Sequence, residues 1–201
     1  MFYQILKNLV KFRYVLADSW FACVDTMEHI HKNNKYFIFP LKDNRLVALS
    51  KEDKLKGHFQ TVSSITIKEN QAQEVFIKSL EFPVKLCKQI FTNKDGTTGI
   101  LHLITNDLAL DYSGITTIYQ KRWKVEEFHK SIKSNTGLSK SPTQTVRTQS
   151  NHFFASIYAN VKLECLKWKR KKSHFALKSK LYTRALQTAF IELRRLQVLT
   201  V

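Results

Sequence analysis

The sequence predicts an α/β (α+β) fold, and three observations predict it. Short apolar runs of strand character fill most of the first half, with one helical segment among them. After Asp111 the period changes to that of long helices. Turn-forming residues such as Asn93-Lys-Asp-Gly96 and Asn135-Thr-Gly137 separate the pieces. The chain has 201 residues and is 43% apolar, enough for one sizeable domain or two small ones and too much for wholesale disorder. No apolar run approaches the ~18 residues that would span a bilayer. Lys7, Lys11 and Arg13 interrupt the N-terminal apolar residues, which do not form a secretory core.

Taken in order, Tyr14-Val-Leu-Ala-Asp18 reads as a short buried strand ending in a carboxylate, and a helix follows at about 24–33. Tyr36-Phe-Ile-Phe-Pro-Leu41 is the second strand, with Pro40 marking an end or an edge. Strands are expected at Leu46–Leu49, Thr61–Ile67, Val75–Ile77, Phe82–Ile90 and Gly99–Thr105. Ser113 is read as the N-cap of one helix from Ile115 to about Ser134, stopped at Gly137 by a left-handed cap. A loop through Pro142 leads to a long helix from about Thr145 to Lys171, and a last helix runs from about Phe175 to Leu196. There is no internal repeat.

The net charge of +17 is unevenly spread. Residues 119–201 carry 18 Lys/Arg against 4 acids, which favours an anionic polymer as partner. Lys162, Lys167, Lys169, Arg170, Lys171 and Lys172 crowd the end of the long helix, with Trp168 among them. Such a cluster displaces phosphate counterions without reading sequence, or else covers a solvated helix on which Leu166 and Trp168 pack. Cys23, Cys87 and Cys165 are far apart, which suits a reducing compartment and packing roles. The seven histidines make no zinc pattern.

The chemistry-bearing stretch is YQKRWKVEEFHKSIK, residues 119–133. On one continuous helix, Tyr119, Arg122, Glu126 and Lys133 fall within about 60° of one another. A carboxylate flanked by a phenol, a guanidinium and an ammonium suits a metal ligand whose neighbours hold phosphates. Val125, Phe128 and Ile132 on the opposite side can pack onto a sheet. Asp18 is the second candidate, since open α/β sheets place functional groups at strand C-termini. Two such carboxylates could hold Mg²⁺ with water and phosphate oxygens, and two-metal chemistry normally needs a third. Asp107 is a candidate third, although a loop-capping role is the preferred reading.

The Tyr119/Arg122/Glu126/Lys133 spacing resembles the signature of bacterial insertion-sequence transposases of the family numbered four, in the Asp-Asp-Glu class. YVLADSWF followed by FPLKDNR is similar to the segment around that family's second catalytic Asp, and ITND at 104–107 to the strand before its Glu-bearing helix. The resemblance covers roughly residues 10–140. It implies a partial ribonuclease-H-like core over 1–42, a β-rich insertion over 43–98, the rest of the core over 99–140, and a basic helical C-terminal region over 141–201. By resemblance, Asp18 and Glu126 are catalytic metal ligands for Mg²⁺ or Mn²⁺. Tyr119, Arg122, Lys133, Lys130 and Trp123 contact double-stranded DNA at transposon ends. The Asp107 counterpart is not a ligand.

The family's first Asp lies well upstream of the second, yet only 17 residues precede Asp18 and none is acidic. The expectation is a C-terminal portion of a transposase, inactive alone, cytoplasmic and nucleoid-associated, with a homodimer or an assembly with full-length enzyme as its protein partners. The alternative expectation is a DNA-binding or dimerising remnant that inhibits the full-length enzyme.

Overall fold

The computed structural model describes residues 2–93, 95–141 and 144–198. Lys94 of the expected turn and Pro142 of the expected loop lie outside them. The chain forms two compact units, Met1–Arg122 and Trp123–Val201.

The first unit contains a seven-stranded mixed sheet, so the α/β class expected from the sequence is the one found. Its strands are β1 (Tyr14–Leu16), β2 (Tyr36–Leu41), β3 (Leu46–Ala48), β4 (Gln60–Thr61), β5 (Ala72–Ile77), β6 (Val84–Thr92) and β7 (Thr98–Thr105). Their spatial order is β1-β2-β7-β6-β5-β3-β4. Only β1 and β2 are parallel, joined through helix α2 (Val24–Lys32); the other neighbours are antiparallel. Strands of the stretch expected as an insertion therefore share one sheet with β1, β2 and β7.

Alternation along β2 explains the two apolar layers. Phe37, Phe39 and Leu41 join Met27 and Ile30 of α2 on one face. Ile38 points the other way and meets Leu103, Cys87 and Ile115. Ile115 belongs to α4 (Tyr112–Gln120), so α2 and α4 cover opposite faces of the sheet. Asn106, buried just after β7, ties the strand ends together. Its Oδ1 accepts the Phe37 amide at 2.9 Å, and its Nδ2 donates to the Lys35 carbonyl at 3.0 Å. At the far end of the β6–β7 pair, Gly99 stands opposite Phe91, whose ring occupies the space a Cβ would need.

Several local expectations are corrected. Thr61–Ile67 is not a strand beyond Thr61. Residues Val62–Ser64 form a 3-10 turn, and the Val62 and Ser63 amides bond to the carbonyls of Arg45 and Asp43. Val62, Ile65 and Ile67 are nevertheless buried, so the apolar spacing reports burial without strand pairing. Two helices went unexpected: α1 (Phe2–Lys7) and α3 (Lys51–Lys56). Ser50 caps α3 by accepting the Asp53 amide, and Gly57 ends it at φ 76°, a left-handed conformation that suits glycine. The cap of α4 is Asp111 rather than Ser113. Its carboxylate accepts the Gly114 amide at 2.8 Å and the Ser113 hydroxyl at 3.0 Å, which holds it below the usual carboxylate range.

The single helix expected over 115–134 is two helices. The backbone leaves the α ladder at Lys121–Arg122, where the Lys121 and Arg122 amides bond three residues back to Ile118 and Tyr119. The helix α5 (Trp123–Asn135) begins immediately after.

The second unit consists of α5, α6 (Val146–Arg170) and α7 (His174–Val198). Thr145 caps α6 as a side-chain acceptor, and Gly137 after α5 has φ 69°. The unit's buried residues include apolar Ile132 and Leu177 and polar Ser156 and Asn160. His174 sits between Glu164 (Nε2 to Oε1, 3.0 Å) and a pair from α5, Ser131 and Asn135 (Nδ1 at 3.4 and 3.2 Å). Ser131 also donates to Asn160 at 3.4 Å.

Replacing Asn106 by alanine leaves a buried amide and a carbonyl without partners. The expected loss is roughly 2–4 kcal/mol. It should appear as a lower urea midpoint at unchanged slope.

Candidate active site

Strand β1 delivers Asp18 to the end of the sheet. After Ala17 the backbone stays extended (φ −82°, ψ 166°), and the exposed Asp18 carboxylate accepts the Ser19 amide at 2.6 Å. Asp18 thereby caps the 3-10 turn Ser19–Phe21. The capping role and a ligand role are compatible, because a carboxylate has two oxygens and several lone pairs.

Helix α4 brings Tyr119 to the same end. The Tyr119 ring is packed with Ile38, Leu103 and Ile115 and is only 9% exposed. Its hydroxyl lies 3.5 Å from the Ala17 carbonyl. The Arg122 guanidinium carbon lies 5.9 Å from the Tyr119 ring centroid. Burial holds the Tyr119 phenol above its ordinary range; the Arg122 charge opposes this and the Asp18 charge adds to it. Asp18, Tyr119 and Arg122 are therefore electrostatic neighbours within the first unit. Tyr119, expected on the functional face of the helix, places its ring in the apolar layer.

Asp107 serves structure. It is 3% exposed, accepts the Tyr14 hydroxyl at 2.6 Å and the Ala109 amide at 3.2 Å, and faces Arg13 at 3.4 Å. It is bonded to the first residue of β1, whereas Asp18 lies four residues further on, about 13 Å along an extended strand. Asp107 cannot share a small site with Asp18.

In the second unit, Glu126, Lys130 and Lys133 fall on one face of α5 at spacings of four and three. With His129 and Ser134 they line an open depression of about 470 Å³. His129, three residues after Glu126, went unsingled in the sequence although its spacing places it there. Trp123 at the start of α5 is exposed. The basic end of α6 is solvated rather than packed through its tryptophan, since Trp168 is 81% exposed. Lys167 pairs with Glu164 at 3.3 Å, and Lys162 lies over the Tyr158 ring. A wider cleft of about 840 Å³ is lined by Phe128, Lys124, Trp168 and Lys169. Among the described residues, no three His, Cys, Asp or Glu side chains gather as a metal cluster.

The profile of the family described as transposase DDE domain matches residues 1–159, most of the chain, including Asp18 and the whole 119–133 stretch. The chain belongs to that family. No curated protein matches it. Membership makes the chain a transposase domain, and the family generally uses divalent metal ions. Among the described residues of this transposase no helix is long and apolar enough to cross a membrane.

The Tyr14 phenol provides a test of the strand-end geometry. Burial and the Asp107 hydrogen bond push it from 10 up to about 12. A folded-state value above the unfolded one stabilises the protonated fold, so this contribution is complete below pH 10 and is lost as pH rises toward 12. Ultraviolet titration should show a tyrosine ionising near pH 12, and Asp107→Asn should move that tyrosine back toward the ordinary range. Unchanged titration in that variant would sink the assignment.

Proposed function

We propose that this transposase domain acts at transposon-end DNA as a member of the insertion-sequence family numbered four, with a ribonuclease-H-like core. In this reading Asp18 and Glu126 are its metal-ligating carboxylates. The observation that carries the reading is the neighbourhood of Asp18, Tyr119 and Arg122 at the end of β1, inside the stretch matched by the family. The Tyr-Arg-Glu-Lys spacing and the basic helices support it.

The donor chemistry fits Mg²⁺ or Mn²⁺ in kind, since both carboxylates offer hard oxygen ligands and both residues are exposed. When bound, such an ion supplies activation of a water or 3′-hydroxyl and stabilisation of the leaving oxygen. The chain's own groups do the rest. Arg122 lies beside Tyr119 and presents a guanidinium suited to grip a phosphate in two-point fashion. Tyr119 is largely buried, so it acts through its hydroxyl, which faces the Ala17 carbonyl, and as a neighbour of Arg122. Lys130 and Lys133 follow Glu126 on one face and neutralise phosphates further along the strand. Trp123 offers an exposed aromatic surface.

A second reading is a DNA-binding or dimerising chain, to which the basic face of α5 is equally suited. Such a chain would inhibit the complete enzyme by occupying its ends.

Metal binding can be read without activity. With Fe²⁺ in place of Mg²⁺, ascorbate and peroxide should cleave the polypeptide near residues 18 and 126 in the presence of duplex DNA. Asp18→Asn and Glu126→Gln should each suppress it. Absence of cleavage near residue 18 overturns the ligand assignment. Duplex affinity should also fall steeply with salt. Lys130→Ala with Lys133→Ala should lower the log–log slope by about 2. An affinity independent of salt would end the DNA reading.

A further inference from the structure

Helix α7 carries a pattern that the DNA reading does not use. Tyr182, Leu186, Ala189, Leu193 and Leu196 recur at steps of four, three, four and three, the heptad spacing of a coiled-coil seam. At 100° per residue they fall within about 80° of one another around the helix. The start of α7 is held in the second unit by buried Leu177 and by Lys178, whose ammonium donates to the Ser134 carbonyl at 3.2 Å. Beyond it, residues 179–197 are all exposed, Leu186 at 59% and Leu193 at 55%.

Charge is sorted around this stripe. The chain carries a net +17, yet Arg184, Arg194 and Arg195 lie at least about 120° from the centre of the stripe. The positions that flank it hold Thr183, Ala185, Phe190, Glu192 and Gln197, none of them cationic. A face that bound phosphate would bring its cations forward. Here they are set back. A helix whose side chains all meet water gains no tertiary support, and isolated helices of this length are marginal. Covering the seam supplies that support. Tyr182, Phe190 and the three leucines offer apolar area on the order of 500 Å² per copy, so two copies reach about 1,000 Å², the size of a small specific interface. A second α7 is the matching surface, because a heptad seam is complementary to itself.

We infer that residues 182–197 of α7 form a dimer interface, the seam of one copy closed by the same seam of a second. The pairing stands apart from the DNA reading, and salt separates the two. Two copies of a strongly basic chain repel each other, so added salt tightens the dimer while it weakens a phosphate contact.

Sedimentation equilibrium of the nuclease-treated full chain should show monomer and dimer in exchange, with the dimer strengthening from about 0.1 to about 0.5 M NaCl. Leu186→Glu combined with Leu193→Glu should weaken the dimer about ten-fold or more. Both side chains are exposed, so the double variant leaves the chain's own packing untouched. Ile191→Glu, on the opposite side of the helix, should change the affinity by less than about two-fold. Far-ultraviolet circular dichroism should show helicity rising with concentration in the parent and not in the double variant. A parent that stays monomeric at roughly 100 µM overturns the inference; if that monomer binds phosphatidylglycerol vesicles, the stripe is a lipid-facing surface instead. A dimer of unchanged strength in the double variant puts the interface elsewhere and overturns it too.

Discussion

Tyr119 is held by a constraint that the candidate site depends on. Its ring fills the layer between α4 and the sheet, against Ile38, Leu103 and Ile115, and cannot swing outward without opening an apolar void. The hydroxyl is then carried to the Ala17 carbonyl, one residue before Asp18. A core side chain thus fixes the spacing between a helix end and a strand end. Arg122 follows three residues later, with its guanidinium close to the phenol. Preorganisation of this kind places charge before any ligand arrives, which is what the proposed phosphate contact requires.

The sheet contributes the other half of that positioning. Parallel pairing of β1 with β2, and antiparallel pairing of β2 with β7, put the C-terminal ends of β1 and β7 at opposite ends of the sheet. Asp107 and Asn106 close one end through Tyr14, Lys35 and Phe37. Asp18 is left at the other end, solvent-facing. Two carboxylates that look equivalent in sequence, each following a short apolar strand, therefore have opposite fates. One is buried and bonded into the frame; the other remains accessible to a ligand.

Much of this was legible in the sequence because apolar strands of four to eight residues, bounded by polar turns, leave strong signals. β2, β6 and β7 lie where their patterns predict, as do α2, α6 and α7 within a few residues. Asp18 could be read as a strand-end group from YVLADSWF alone. The break at Lys121–Arg122 could not, since neither Gly nor Pro marks it and both sides have helical period. That break confines the single-face argument to Tyr119 with Arg122 and, separately, to Glu126 with Lys130 and Lys133. The stretch after Thr61 misled for a different reason. Its apolar residues are buried, but the Val62 and Ser63 amides bond to the Lys42–Arg45 turn and the Ile65 amide turns back to Val62.

One pair far from this chemistry carries a consequence for how the chain can change over time. Gly99 faces Phe91 across β6 and β7, and the phenyl ring fills the room that any larger residue at 99 would claim. Position 91 can change while 99 stays glycine, but a side chain at 99 needs the exposed Phe91 ring to swing aside or to have been replaced first. The strand pair records a one-way dependency in sequence space, imposed by nothing more than a ring lying over a bare backbone.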